Sequence, residues 1–177
     1  MAGWRLKTVM AGAVLAVAPA GATAQNAPPP ACMSDDYRAF DFWVGEWSVS
    51  DTSGTQVGTN VIRRIAGRCG LLENWIDGGG GTGKSMNWFD RRDGQWHQQW
   101  IGSTGLLLHL VGGIDHGRMV LAGDRVTANG TTVRDRITWT PEGGDVVRQV
   151  WDISTDGGTT WRTVFNGLYR KTGDATR

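Results

Sequence analysis

From Val44 onward the chain reads as short period-two segments divided by clusters of Gly, Asp and Asn, and no run of ten or more residues keeps a helical 3.6-residue period. Strands are predicted near Glu46–Ser50, Gln56–Ile65, Leu71–Ile76, Lys84–Phe89, Gln95–Ile101, Leu106–Val111, Arg118–Val126, Thr131–Thr140, Val146–Ser154 and Trp161–Lys171. The connectors are short turn sequences, among them Asp51-Thr52-Ser53-Gly54, Arg92-Asp93-Gly94, Asp115-His116-Gly117 and Asn129-Gly130, so sequence neighbours pair antiparallel. A parallel sheet would need crossover helices, and none is available. An open meander would leave two edges free to recruit other strands, whereas closure removes both. The expected fold is therefore all-β: an antiparallel up-and-down β-barrel of about ten strands. Plentiful Gly (27) and Trp (10) against only 5 Pro agree with aromatic strands joined by tight turns.

Ahead of the strands, Arg5 and Lys7 precede the apolar run TVMAGAVLAVAPAGA and the small-residue motif Ala22-Thr23-Ala24. That order predicts a signal peptide over 1–24, cleaved near Ala24, and hence a periplasmic or secreted protein. Pro19 and Gly21 interrupt the run, which is too short for a membrane span. Residues 25–33 form a Pro-rich leader, 34–171 a single barrel domain and 172–177 a tail. Ser34-Asp35-Asp36 is placed to open one or two helical turns carrying Tyr37, Phe40 and Phe42 or Trp43 to one side. Of the 18 basic residues, removal of Arg5 and Lys7 leaves 16 against 17 acidic ones, so the processed chain is nearly neutral, with no basic stripe for nucleic acid. In an oxidising compartment Cys32 and Cys69 are expected to form a disulfide.

Phe40-Asp41-Phe42-Trp43-Val44-Gly45-Glu46-Trp47 holds a G-x-W at the start of the first strand, which resembles the opening of lipocalin-like, or calycin, barrels. The resemblance implies that Trp47, after Gly45, closes one end of the barrel and that Arg170, on the last strand, packs across it. A wider set, FDFWVGEW with Gly70-Leu71-Leu72-Glu73-Asn74-Trp75, Gly83-Lys84-Ser85-Met86-Asn87, Trp96-His97-Gln98-Gln99-Trp100, Arg136-Ile137-Thr138-Trp139 and Arg148-Gln149-Val150-Trp151, is similar to small bacterial proteins, often exported, whose domain has no assigned function. That likeness implies a β-barrel and no particular activity. Ser154-Thr155-Asp156-Gly157-Gly158-Thr159-Thr160-Trp161 resembles the Asp box of sialidases, in which the Asp and Trp clamp a hairpin; Asp156 and Trp161 are accordingly assigned a structural role and no glycosidase chemistry.

Along several strands both faces mix apolar and polar residues, so alternation alone does not separate core from solvent. Two readings follow: a barrel filled by Trp with its polar groups in water, or a barrel enclosing a cavity lined by both kinds. On the second, the expected activity is binding of a small, partly apolar or aromatic ligand, with Glu73, Trp75, Asn87, Gln98, Trp100, Arg136 and Gln149 as candidate lining residues. The alternatives are an enzyme of hydrolase or isomerase type using strand carboxylates such as Glu73, Asp135 and Asp152, a haem-binding calycin with an axial ligand such as His109, or a structural barrel. His97, His109 and His116 show no metal-ligand spacing, and no metal or cofactor is expected. Gly78–Ser85, GGGGTGKS, fits the phosphate-loop pattern but is followed by the alternating Lys84–Phe89 rather than a helix, so nucleotide binding is not expected. It is read as a flexible hairpin at the rim of the barrel.

Overall fold

The computed structural model describes Cys32 to Ala175 together with Met1 and Gly3, so the rest of the expected signal peptide and most of the expected leader lie outside the described residues. Helix α1 (Asp35–Arg38) and a 3-10 turn (Asp41–Trp43) precede ten strands: β1 (Gly45–Ser50), β2 (Gln56–Ile65), β3 (Gly70–Asp77), β4 (Thr82–Asp90), β5 (Gln95–Gly102), β6 (Leu107–Asp115), β7 (Arg118–Val126), β8 (Thr132–Pro141), β9 (Val146–Ser154) and β10 (Arg162–Gly173). Each strand pairs antiparallel with its neighbours in sequence, and β10 returns to β1 with Trp47 opposite Lys171 and Ser50 opposite Leu168. The ring of strands has no free edge. This closed ten-stranded barrel with a helical turn at its start matches a lipocalin- or calycin-like fold. β6 runs on to Asp115, past the predicted end at Val111, because Gly112 and Gly113 stay in the ladder opposite Leu121 and Val120 rather than forming a turn. A Cβ on Gly112 would lie 2.2 Å from the Val120 carbonyl oxygen, a close approach that excludes any side chain.

Alternation along the strands sends one set of side chains inward, and the two ends of the barrel use that interior differently. At the end where β1 begins, the segment from Tyr37 to Trp43 folds over the opening as a stopper. Phe40 and Trp43 are fully buried and stack at 4.9 Å, and Phe40 also meets Trp96 at 5.6 Å and Trp139 at 5.1 Å. Each such pair adds about 0.5–1.5 kcal/mol beyond the area it buries. Trp96 Nε1 donates to the Asp36 carbonyl (3.0 Å), Tyr37 packs edge-on against Phe89, and Asp41 is held by Arg38 and Arg64. The Cys32–Cys69 disulfide ties the chain ahead of α1 to the β2–β3 connection at the same end.

Trp47 is buried, and its Nε1 donates to the Trp43 carbonyl (3.0 Å), which fixes the stopper to β1 after the buried Gly45. Arg170 departs from the expectation that it crosses Trp47. It is exposed and pairs with Ser48 on the outer face, while Tyr169, one residue earlier, points inward and meets Trp47 edge-on at 6.2 Å. Strand parity decides this, since Arg170 and the inward-facing Tyr169 lie on opposite faces.

Candidate ligand cavity

The end opposite the stopper is open. There the barrel encloses a cavity of about 340 Å³, walled by Trp75, Trp100, Trp139, Trp151, Phe165 and Tyr169 and reached by the polar groups of Glu73, Gln98 and Gln149. A ten-stranded barrel is wider than the eight-stranded kind whose interior side chains just fill, so space is left unless large groups cross it. Two glycines keep the rings out of that space. The Trp75 ring lies over Gly58 and the Trp100 ring over Gly83, close enough that a Cβ would fall 2.5 Å and 2.1 Å from the respective ring. Both indoles therefore rest against a glycine of a neighbouring strand.

The floor is polar and almost wholly buried. Glu73 accepts from Asn60 Nδ2 (2.7 Å) and Ser85 Oγ (2.6 Å), Asn87 Nδ2 donates to Ser85 Oγ (2.9 Å), and Gln98 Nε2 donates to Asn87 Oδ1 (2.9 Å). Nearby, Gln149 Oε1 accepts from both Trp139 Nε1 (2.9 Å) and the Tyr169 hydroxyl (2.6 Å). Trp139 thus forms the partition: one side of its ring packs on the stopper and the other faces the cavity. Burial pushes the Glu73 carboxyl up to about 7, against the pull of its hydrogen bonds from Ser85 and Asn60. The Tyr169 phenol is raised by its own burial and by the neighbouring Glu73 charge.

Of the seven candidate lining residues in the sequence, Glu73, Trp75, Gln98, Trp100 and Gln149 line the cavity, and Asn87 lies in the buried network beneath it. Arg136 does not. It faces outward, donates to Asp152 (3.0 Å) and lies 3.9 Å over the Trp161 ring. The inward groups of β8 are its neighbours Asp135 and Ile137. Asp152 is also external, bonded to Arg136 and Thr163, whereas Asp135 is buried and held by Trp151 Nε1 (2.9 Å) and Arg125 (2.8 Å). Burial raises the Asp135 carboxyl while Trp151 and Arg125 lower it. Asp77, the other acidic lining residue, accepts from the Gly79 and Gly81 amides (2.8 and 2.9 Å). Ser85, Asn60 and Tyr169 were absent from the sequence candidates; the available sign was strand parity, which Ser85 shares with the candidate Asn87 and Asn60 with the buried Ile62.

None of the histidines reaches the interior. His109 is exposed on the outer face, stacked at 5.9 Å on His97, which in turn stacks on Trp88; His116 sits in the β6–β7 turn. Asp90, Asp93 and His97 converge outside the barrel, where Arg92 already embraces Asp90. Gly78–Gly81 is the β3–β4 turn at the open rim, organised by the Asp77 carboxylate, and Lys84 is an outward strand residue bonded to Asn74. No helix follows this turn, so its amides have no helix N-terminus to join in holding a phosphate. The Ser154–Trp161 hairpin stands on the same rim: Asp156 accepts from Thr160 N (2.9 Å), Ser154 Oγ accepts from Gly158 N (2.8 Å), and Trp161 Nε1 donates to Gly158 O (2.9 Å). Among the described residues no helix is long and apolar enough to cross a membrane. No protein-family model matches the chain, and a search of curated proteins finds no significant relative.

Proposed function

We propose that this protein is an exported barrel that takes up one small, partly apolar or aromatic molecule at its open end. The observation that carries the reading is the cavity itself: about 340 Å³, walled by aromatic rings, with a small number of buried polar groups at its floor. That combination is the usual make-up of a small-molecule site. A barrel built only for support would gain by filling the space, since an unfilled apolar cavity costs stability. Export is supported by the Arg5–Ala24 sequence, by the Cys32–Cys69 disulfide and by the likeness of FDFWVGEW and its companion segments to small exported bacterial proteins. For the enzymatic alternative the cavity offers Glu73 at the floor and Asp77, which is engaged by the Gly79 and Gly81 amides of its own turn.

Native mass spectrometry of protein purified from its source without denaturation tests this reading. A discrete non-covalent adduct, released on unfolding, is expected. Spectra that stay empty across preparations, and after incubation with small aromatic compounds, would count against it.

A further inference from the structure

Resting on that reading of the cavity, we propose that the guest is an organic cation: a small aromatic or apolar molecule whose protonated nitrogen is directed at the Glu73 carboxylate.

Charge points to this first. Glu73 and Asp77 are the carboxylic acids on the cavity wall, and among the described residues no Lys, Arg or His lines it. Asp77 is engaged by the amides of its own turn, and Arg125, the inward-facing cation at the rim, is committed to the buried Asp135 at 2.8 Å. Glu73 is left with neutral partners alone. A buried carboxylate without a countercharge is costly, and a cationic guest supplies what the protein omits. An anionic guest would deepen the cost.

Donors and acceptors at the floor are also out of balance. Asn60 Oδ1, beneath the cavity rather than on its lining, is fully buried without a hydrogen-bond partner among the described residues, while its Nδ2 serves Glu73. On the lining itself Gln98 spends its Nε2 on Asn87 and Ser85, and among the described residues no group donates to its Oε1. The floor is therefore short of donors, and an ammonium group brings up to three. The wall adds to this. Trp75, Trp100, Trp139, Trp151, Phe165 and Tyr169 line the cavity, and aromatic rings removed from water attract a cation.

The raised Glu73 titration agrees with this arrangement, since a cation beside the carboxyl draws it back toward its ionised form. Tyr169 from β10 is the titratable group packed against it; β2 and β4 present Asn60, Ser85 and Asn87, which do not titrate, and Asp77 is the next acid along β3.

The test is calorimetric titration of the folded protein at pH 8 with three compounds of matched shape: 2-phenylethylamine, 2-phenylethanol and 3-phenylpropanoate. The amine is expected to bind roughly tenfold or more tighter than the alcohol, the equivalent of one desolvated cation–ring contact. The carboxylate is expected to bind weakest. Glu73→Gln should reduce the preference for the amine over the alcohol. If that variant does not fold, the wild type still decides: amine affinity should fall from pH 8 to pH 5.5 as Glu73 takes up its proton, with the alcohol unchanged. Equal or tighter binding of the alcohol overturns the inference and leaves the cavity a ligand site. Failure of all three to bind, in protein that native mass spectrometry also finds empty, overturns the inference and the underlying reading together.

Discussion

At the stoppered end of the barrel Phe40, Trp43, Trp96 and Trp139 pack ring against ring, whereas at the open end Trp75 and Trp100 lie back across glycines on neighbouring strands. The same residue type fills space in one half and keeps it clear in the other. What separates them is the chain around the rings. The stopper supplies Phe40 and Trp43 from outside the strands, and the open half receives no such segment among the described residues. Polar groups follow the same division. Glu73, Asn60, Ser85, Asn87 and Gln98 are satisfied chiefly by one another at the cavity floor, and among the described residues the Trp43 indole nitrogen is the buried donor left over in the stopper. Ring packing is thus concentrated at one end and the open cavity at the other.

The contrast is most easily broken in the stopper. Phe40→Ala removes the ring that touches Phe42, Trp43, Trp96 and Trp139 and is expected to cost about 3–5 kcal/mol in urea unfolding. Reducing Cys32–Cys69, which closes a loop with a sequence separation of 37, is expected to cost up to about 4 kcal/mol on the chain-entropy argument, read as a lower denaturation midpoint. Glu73 gives the third effect through pH. Its folded carboxyl titrates near 7 against 4.5 for the free group, so the unfolded chain releases the proton first. The contribution of Glu73 to stability should then be greatest below pH 4.5, decline as the pH rises toward 7 and level off above it, a span of about 3 kcal/mol at most. Glu73→Gln should flatten that decline. Asp51, Asp90, Asp115, Asp156 and Asp174 are lowered by their hydrogen bonds, so their stabilisation is lost on the acid side, as the pH falls through their folded values. Asp135 shares the sign of Glu73 and is common to wild type and variant. Trp75→Ala, in the hollow half, should cost least, about 1–2 kcal/mol, since the ring is only partly buried. A loss equal to that of Phe40→Ala would erase the distinction between the halves.

Strands and turns were legible because they depend on period-two patterning and on turn residues, both local. Trp96-His97-Gln98-Gln99-Trp100 is an instance: its parity alone put Trp96, Gln98 and Trp100 on one face, which is the interior. Arg136 was misplaced because β8 carries charge on both faces, Arg134 and Arg136 outside and Asp135 inside. Only the register against Asp152 and the proximity of Trp161 show which charge is buried. The seats of Trp75 and Trp100 were hidden for a related reason, since Gly58 and Gly83 read as weak points in strands until the tertiary fold lays a ring across them. Tyr169 was overlooked beside Arg170 because the calycin resemblance directed attention to the Arg, while the sequence placed the aromatic residue on the opposite face.

The central claim, that the open half is a cavity kept clear for a guest, is tested most directly by fluorescence titration with the neutral aromatic probe N-phenyl-1-naphthylamine, comparing wild type with Gly83→Val. A side chain at Gly83 collides with the Trp100 ring and drives it off its seat into the cavity. The account predicts saturable uptake of one probe per wild-type chain and its loss in Gly83→Val, with the barrel still folded. Equal uptake by both proteins, or none by the wild type, would contradict it.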